Sequence, residues 1–297
     1  MWNKRQKFQF YWNESRKILT TLIRKQHTNI QIIEDVTQKV IVVVSVQMII
    51  FAPSMEKHIK PYQNDKDTKK KQVTKMFDGI AKSYDALNRI ITLGIDLRWR
   101  KNIARMLARE NPKTILDIAT GTGDLVIALS SIKNATLVGL DISPGMLEIG
   151  KKKVLDQALQ DRIQMVLGDS EQLQFEDHSF DAVTIAFGVR NFENLDKGLK
   201  EVFRVLKSEG QLLILETAVP KSAFFRFFYL LYTKKIMPSL GKLFAKDRTA
   251  YAYLSDSAAN FPCGEAFNNI LKKNGFIGVK DYPQTLGVAS IYSAKKP

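Results

Sequence analysis

The stretch "LDIATGTGD", residues 116–124, constrains this chain more than any other. An apolar, β-branched run stops at two glycines, small hydroxyl residues and an acid, and "LVIALSSI" then continues as a helix. A strand that turns into a helix with no loop between them is the opening unit of a βαβ fold. Gly121 and Gly123 have no Cβ, so the backbone can bend tightly there and a ligand can lie against it.

The same alternation recurs downstream. "KTILDIAT", "ATLVGLDI", "IQMVLGD", "FDAVTIAFG" and "GQLLILETA" read as strands, and "SPGMLEIGKKKVLDQAL", "LDKGLKEVFRVLK" and "AFNNILKKNGF" as helices. Ser143 is placed to cap its helix, with Pro144 at the first helical position, where a missing N–H costs nothing. "KMFDGIAKSYDALNRIITLGIDLRWRKNIARMLARE" has helical spacing broken near Gly94, and "IGVKDYPQTLGVASIYSAKK" reads as a closing hairpin. Alternating strands and helices predict a doubly wound, mostly parallel α/β sheet covered on both faces, with the antiparallel hairpin at one edge. A helical insertion is expected at about 220–260.

Residues 1–72 have a different texture. A basic, aromatic start leads into "VIVVVSVQMIIFA", residues 40–52, and then a lysine-rich stretch. The apolar run is too short for a membrane span, which needs about 20 residues, and lies too far in for a signal peptide. Residues 1–54 read as a membrane-associating arm, a strand added to the domain, or an extension outside the working protein with Met55 as its start. The last is preferred, because no periodic pattern ties the segment to a core. Residues 55–72 read as a polar linker and 73–297 as the main domain.

The formal net charge of +15 on 297 residues calls for an anionic partner: nucleic acid, a membrane surface or an anionic ligand. The lysines are scattered and no helix-turn-helix, zinc-finger or ribonucleoprotein signature is present, so no nucleic-acid partner is expected. Cys263 is the only cysteine and the three histidines lie far apart, so neither an internal disulfide nor a metal site is expected.

Three acids, Asp117, Asp141 and Asp169, fall at or near three successive strand ends. Asp141 follows the glycine turn by about 20 residues, the separation at which an acid reaches ribose hydroxyls in nucleotide folds. Asp169 is placed to accept from an adenine amino group, with the backbone of Ser170 beside it. The turn matches neither "GxGxxG" nor "GxxxxGK[ST]", and its Asp124 argues against a diphosphate. The set points to a nucleoside-type cofactor that is cationic or zwitterionic. Taken singly, each acid could instead cap the next helix.

"LDIATGTGD", "GLDIS" and "GDSEQLQF" resemble the class I S-adenosylmethionine-dependent methyltransferases. "YDALNRIITLGIDLRWRK", "FDAVTIAFGVRNFENLDKGLKEVFRVLKSEGQLLILE" and "AYAYLSDSAANFPCGEAF" resemble, more narrowly, the UbiE/MenG family of quinone C-methyltransferases of menaquinone and ubiquinone synthesis. Departures from that pattern are mild: Leu87 for a frequent methionine, Thr92 and Asp96 for serine and histidine, and "KSEG" for "KPGG". The resemblance implies a seven-stranded Rossmann-like sheet and S-adenosyl-L-methionine as cofactor. It implies a cofactor site of Asp117, Gly121, Thr122, Gly123, Asp141, Ile142, Asp169, Ser170 and Ala186.

The activity so implied is methyl transfer to a ring carbon of demethylmenaquinol, in the last step of menaquinone synthesis. The alternatives are a ubiquinone-pathway acceptor or another small molecule. The carbon is nucleophilic when the ring is a quinol losing a hydroxyl proton, so the protein must favour that loss, hold the reactants in line and exclude water. Arg190 could stabilise the developing phenolate, Asn191 could bond a ring oxygen, and Tyr84 is placed by the family comparison near the same pocket. The plainer readings are that Tyr84 is core, Asn191 caps the next helix and Arg190 pairs with an acid. A polyprenylated quinol is the expected substrate partner. "FFRFFYLLYTKKIMPSLGKLFAK", residues 224–246, reads as a helix packed into the domain or, as preferred here, a lid that also meets anionic lipid. The expected location is cytoplasmic, peripheral to the inner face of the cytoplasmic membrane, with a homodimer left open.

Overall fold

The computed structural model describes residues 59–62, 65–232 and 248–297. The expectations for residues 1–54, for the apolar run at 40–52 and for the end of the 224–246 segment fall outside the described residues.

Two helices come first. Helix α1 (Lys69–Thr92) is capped by Thr68, whose side chain accepts from the Lys71 N–H, and it buries Val73, Met76, Ile80 and Ala81 on one face. That spacing is the single stripe of an amphipathic helix. Leu93 (φ 51°) and Gly94 (φ 74°) break it in left-handed geometry, and α2 (Ile95–Ala108) follows. The break lies where the glycine predicts it.

The sheet contains β1 (Thr114–Ile118), β2 (Thr136–Asp141), β3 (Ile163–Leu167), β4 (Phe180–Ala186), β5 (Leu206–Thr217), β6 (Ile277–Gln284) and β7 (Ala289–Lys295). Their order is 3-2-1-4-5-7-6. The first five pair in parallel, and β7 runs antiparallel between β5 and β6. Helices α3 (Asp124–Leu129), α4 (Pro144–Asp156), α5 (Leu195–Val205) and α8 (Glu265–Lys273) connect them, and α6 (Ala223–Leu231) and α7 (Arg248–Asn260) form the insertion. Strand β5 begins at Leu206, earlier than its apolar run, with a register shift against β4 at Phe180 and Ala182.

Two-residue periodicity divides the core between the faces. Ile115, Leu213 and Ile291 pack under α2 and α3 with Trp99, Ile103, Leu125 and Leu129. Leu116, Leu212, Ile214 and Tyr292 pack on the other side with Leu199, Val202 and Phe267. A third cluster joins α1, α4 and α7 through Val73, Met76, Ile80, Met146, Ala250 and Tyr253.

The boundary at residue 73 moves upstream in the structure. Ile59 and Tyr62, from the stretch read as linker, pack on the third cluster. The Gln72 side chain, 0% exposed, accepts from the Tyr62 N–H at 2.9 Å and donates to the carbonyls of Asp65 and Asp67. A lysine-rich composition concealed this, because the ties run through backbone groups.

Candidate active site

Strand order reverses at β1, which has β2 on one side and β4 on the other. The loops leaving these strands diverge there and open the crevice in which ligands of doubly wound sheets bind. A cleft of about 690 Å³, its open mouth included, lies at this point.

Gly121, Asp141, Ile142, Asp169, Ser170 and Ala186 all line the cleft, as do Tyr84 and Asn191. Asp141 is 8% exposed at the end of β2. One carboxylate oxygen accepts from the Gly121 N–H at 2.7 Å and the other from the Ser143 N–H at 2.8 Å. Burial pushes its pKa up to about 6, opposed by those backbone donors. A carboxylate has about four lone-pair positions, and with the Ile142 N–H also acting on it, capacity remains for a hydroxyl donor. Gly121 (φ +57°) has no protein atom within 4 Å of where a Cβ would stand, so a side chain would occupy the space in front of the turn. These features suit a ribose against bare backbone.

Asp117, Thr122 and Gly123 are not in the cleft wall. Asp117 lies beneath the turn and accepts from Thr120 Oγ1 at 2.6 Å and Thr184 Oγ1 at 2.7 Å. Burial raises its pKa to about 6. Gly123 (φ +82°) starts α3 and packs near Met165 and Gly150. Thr122 donates to Asp85 on α1 at 2.7 Å. The acid of the turn, Asp124, is ion-paired with Arg89 and Lys153. Its charge therefore ties α1 and α4 to the turn, and the inference from Asp124 to a cationic ligand loses its footing.

Helix α1 forms one wall with Lys70, Val73, Phe77 and Tyr84. Lys70 donates to Asp169 Oδ2 at 2.6 Å, and the Glu171 N–H donates to Asp169 Oδ1 at 2.9 Å. Lys69 Nζ donates to the carbonyls of Arg190 and Phe192. Asp78 accepts from Ser143 Oγ and the Gly145 N–H at the N-terminus of α4, where a carboxylate is favoured. Sequence reasoning missed these lysines, because a lysine-rich helix start looks like a solvated face until the fold brings acids to it.

The "FGVRN" segment forms a 3₁₀ turn, Val189–Asn191, after β4. Asn194, not Asn191, caps α5, by accepting from the Lys197 N–H. The Arg190 side chain, 8% exposed, does not line the cleft. It donates through Nη1 to Glu216 Oε1 at 2.6 Å, and Glu216 is 0% exposed. Thr217 N–H and Oγ1–H donate to the same oxygen. Glu216 has no sequence signature beyond its place at the end of β5. Tyr253, from the insertion, donates to Asn191 Oδ1 at 3.1 Å. Burial raises the hydroxyl pKa of Tyr84, Tyr229 and Tyr253, the last to about 12, and in each case the nearby Arg190 charge pulls it back down. Tyr84 is half-buried on the cleft wall, within hydrogen-bond reach of Asn88.

Comparison with known proteins agrees with this geometry. The sequence profile of the ubiE/COQ5 methyltransferase family matches residues 65–296. The demethylmenaquinone methyltransferase of Bacteroides fragilis is 43% identical over 242 residues, covering 81% of this chain and 98% of its own length. That of Chlorobaculum tepidum is 41% identical, with 75% and 92% covered. A ubiquinone/menaquinone biosynthesis C-methyltransferase from Geotalea daltonii is 40% identical, with 77% and 97% covered. Among solved structures, a SAM-dependent methyltransferase from Thermotoga maritima superposes with a TM-score of 0.54 at 18% identity, with 75% of this chain and 99% of that one covered. One from Methanococcus maripaludis reaches 0.50 at 23% identity, with 79% and 96% covered. These two likenesses establish the Rossmann-like class I methyltransferase fold.

Proposed function

The chain belongs to the ubiE/COQ5 methyltransferase family, and on that premise we propose that it methylates a ring carbon of demethylmenaquinol, with S-adenosyl-L-methionine as methyl donor, in menaquinone synthesis. The observation that carries the reading is the cleft at the sheet's switch point. A buried carboxylate, Asp141, lines it beside bare backbone, and Asn191 lines it from the turn after β4.

S-adenosylmethionine supplies an electrophilic methyl group on a sulfonium sulfur. Asp141 and the Gly121 turn would hold its ribose, and Asp169 and Ser170 would stand at its adenine end. Ile142 and Ala186 add apolar wall. Asp117, Thr122 and Gly123 shape the turn from behind. With the cofactor bound, the ring carbon would take up the methyl group as the methyl–sulfur bond breaks and S-adenosylhomocysteine leaves. The quinol hydroxyl would give its proton to solvent as negative charge gathers on the oxygen. The ring carbon would then lose its own hydrogen as a proton, restoring the aromatic ring. Arg190 favours loss of the hydroxyl proton electrostatically. Burial raises the hydroxyl pKa of all three neighbouring tyrosines and the Arg190 charge opposes that rise, so the same charge would offset part of the cost of forming a quinolate beside them. Glu216 balances Arg190, which reduces repulsion between the guanidinium and a cationic cofactor. Asn191 donates to a ring oxygen, and Tyr84 closes the site from α1.

The apolar tail of such a substrate must reach the cleft from lipid. Leu93 is 81% exposed and Leu286 64% exposed, and Leu97 and Phe225 are also exposed. The segments that carry them are tied together by Tyr232 Oη–H to the Ile91 carbonyl and Trp99 Nε1–H to Thr285 Oγ1. Arg98, Lys101, Lys221 and Arg226 are exposed on the same segments. Apolar side chains among cations favour peripheral contact with an anionic bilayer, such as the inner face of the cytoplasmic membrane. No helix among the described residues is long and apolar enough to cross a membrane.

The test is incubation of the purified protein with S-adenosylmethionine and either chemically reduced demethylmenaquinol or the corresponding ubiquinone-pathway benzoquinol. Mass analysis of the reoxidised quinones follows. A gain of one methylene mass on the naphthoquinone is expected. Methylation of the benzoquinol alone, or of neither, overturns the assignment.

A further inference from the structure

Arg190 and Asn191 are each held from behind by a buried group on another element. Tyr253, 3% exposed on α7, donates its hydroxyl to Asn191 Oδ1 at 3.1 Å. The amide nitrogen makes only a 3.5 Å contact with the Phe187 carbonyl. An amide has two Nδ2 protons. With Oδ1 occupied by Tyr253, it is the N–H end that Asn191 offers to the cleft it lines. Glu216, 0% exposed at the end of β5, anchors Arg190 Nη1 at 2.6 Å, while Thr217 fixes the same carboxylate oxygen through its N–H and hydroxyl. Burying a carboxylate and a guanidinium together gains little stability over an apolar pair. Glu216 Oε2 and Arg190 Nε are both buried without hydrogen-bond partners among the described residues. An arrangement that is poor for stability but directional suits orientation of one charged group.

We infer that Tyr253 and Glu216 are positioning residues for methyl transfer: Tyr253 selects the donor end of the Asn191 amide for the ring oxygen, and Glu216 fixes the Arg190 guanidinium. The inference rests on the proposed function for its acceptor and on the contacts alone for its geometry. Because Tyr253 lies on the insertion, it couples the seating of α7 to the donor set of the "FGVRN" turn.

The test is a double-mutant cycle with Tyr253→Phe, which keeps the ring and its packing, and Asn191→Ala. Turnover of reduced demethylmenaquinol is measured at saturating S-adenosylmethionine, beside cofactor affinity and melting temperature. The Asn191 side-chain amide is followed by ¹⁵N NMR, assigned by its disappearance in Asn191→Ala. Tyr253→Phe is expected to leave cofactor affinity unchanged, to shift the amide signals and to lower kcat about tenfold, the scale of one lost hydrogen bond. The double variant is expected to be no slower than Asn191→Ala. Glu216→Gln, isosteric but uncharged, is expected to lower kcat with KM for the cofactor unchanged. Independent, multiplicative effects of the two cycle substitutions, or unshifted amide signals in Tyr253→Phe, overturn the inference. If the wild type fails to methylate the quinol, the acceptor assignment falls, and the NMR arm still decides whether Tyr253 orients Asn191.

Discussion

Lys70 and Asp169 meet at 2.6 Å across the mouth of the cleft, joining the first turn of α1 to the end of β3. Asp169 is also the acid expected to accept from adenine, so the lysine and the base compete for Oδ2. The pair is 28% exposed on each side, which limits its worth to about 1 kcal/mol or less. Lys70→Ala should therefore tighten S-adenosylmethionine binding by no more than that. Calorimetry showing weaker binding would mean that Lys70 contacts the ligand itself.

Asp141 should matter for affinity and for its pH dependence. Asp141→Ala should weaken cofactor binding by about 1.5–3 kcal/mol, the range for hydrogen bonds to a charged group. The carboxylate is a better acceptor of the ribose hydroxyl than the acid, so binding favours the deprotonated form. With the pKa raised by burial to about 6, affinity should be constant well above that value. It should fall as pH drops through it, approaching tenfold per pH unit. Titration calorimetry across this window should show the fall in wild type and not in Asp141→Asn.

Arg190→Ala should cost stability as well as turnover. The arginine stands beside a carboxylate that is 0% exposed. Removing one partner of a buried pair typically costs about 3–5 kcal/mol. Loss of the charge that favours proton loss from the quinol should also lower turnover, by less than the roughly 10²–10³-fold of a direct oxyanion donor, because Arg190 stands behind the cleft lining. Arg190→Lys should recover more stability than turnover, since it restores charge without the planar fork. Calorimetric melting of both variants beside their kcat separates the two effects.

A chain beginning at Met55 should fold and bind S-adenosylmethionine as the full chain does. One beginning at Lys69 should be less stable, because the Gln72 amide, 0% exposed, loses Tyr62, Asp65 and Asp67 as partners. An unsatisfied buried polar group costs about 1–3 kcal/mol. Chemical denaturation of the three proteins checks the order.

Substituting Leu97 and Leu286 with glutamate should reduce cosedimentation with vesicles containing anionic lipid and leave cofactor affinity unchanged. Undiminished sedimentation would remove this face from lipid contact.

Much of the architecture was legible because it depends on local pattern. Apolar runs between turn signals marked the strands, and helical spacing broken at Gly94 separated α1 from α2. Ser143 before Pro144 marked the start of α4, where Ser143 accepts from the Met146 N–H. The interval from Gly121 to Asp141 put both residues on the wall of one cleft, since strand–turn–helix geometry fixes where the next strand must end. The chemistry of individual charges was not legible. Asp124 and Asp141 are both acids beside a glycine turn, yet one is ion-paired with Arg89 and Lys153 and the other lines the cleft. Arg190 and Glu216 are 26 residues apart and become neighbours because β4 and β5 pair in parallel. Tyr253 reaches Asn191 across 62 residues because α7 folds back against α1 and the "FGVRN" turn. A residue's type and local period depend on its own neighbourhood in the chain. The partner that neutralises, orients or competes with its charge comes from another element, and long-range packing alone brings that partner within the few ångströms over which such interactions act.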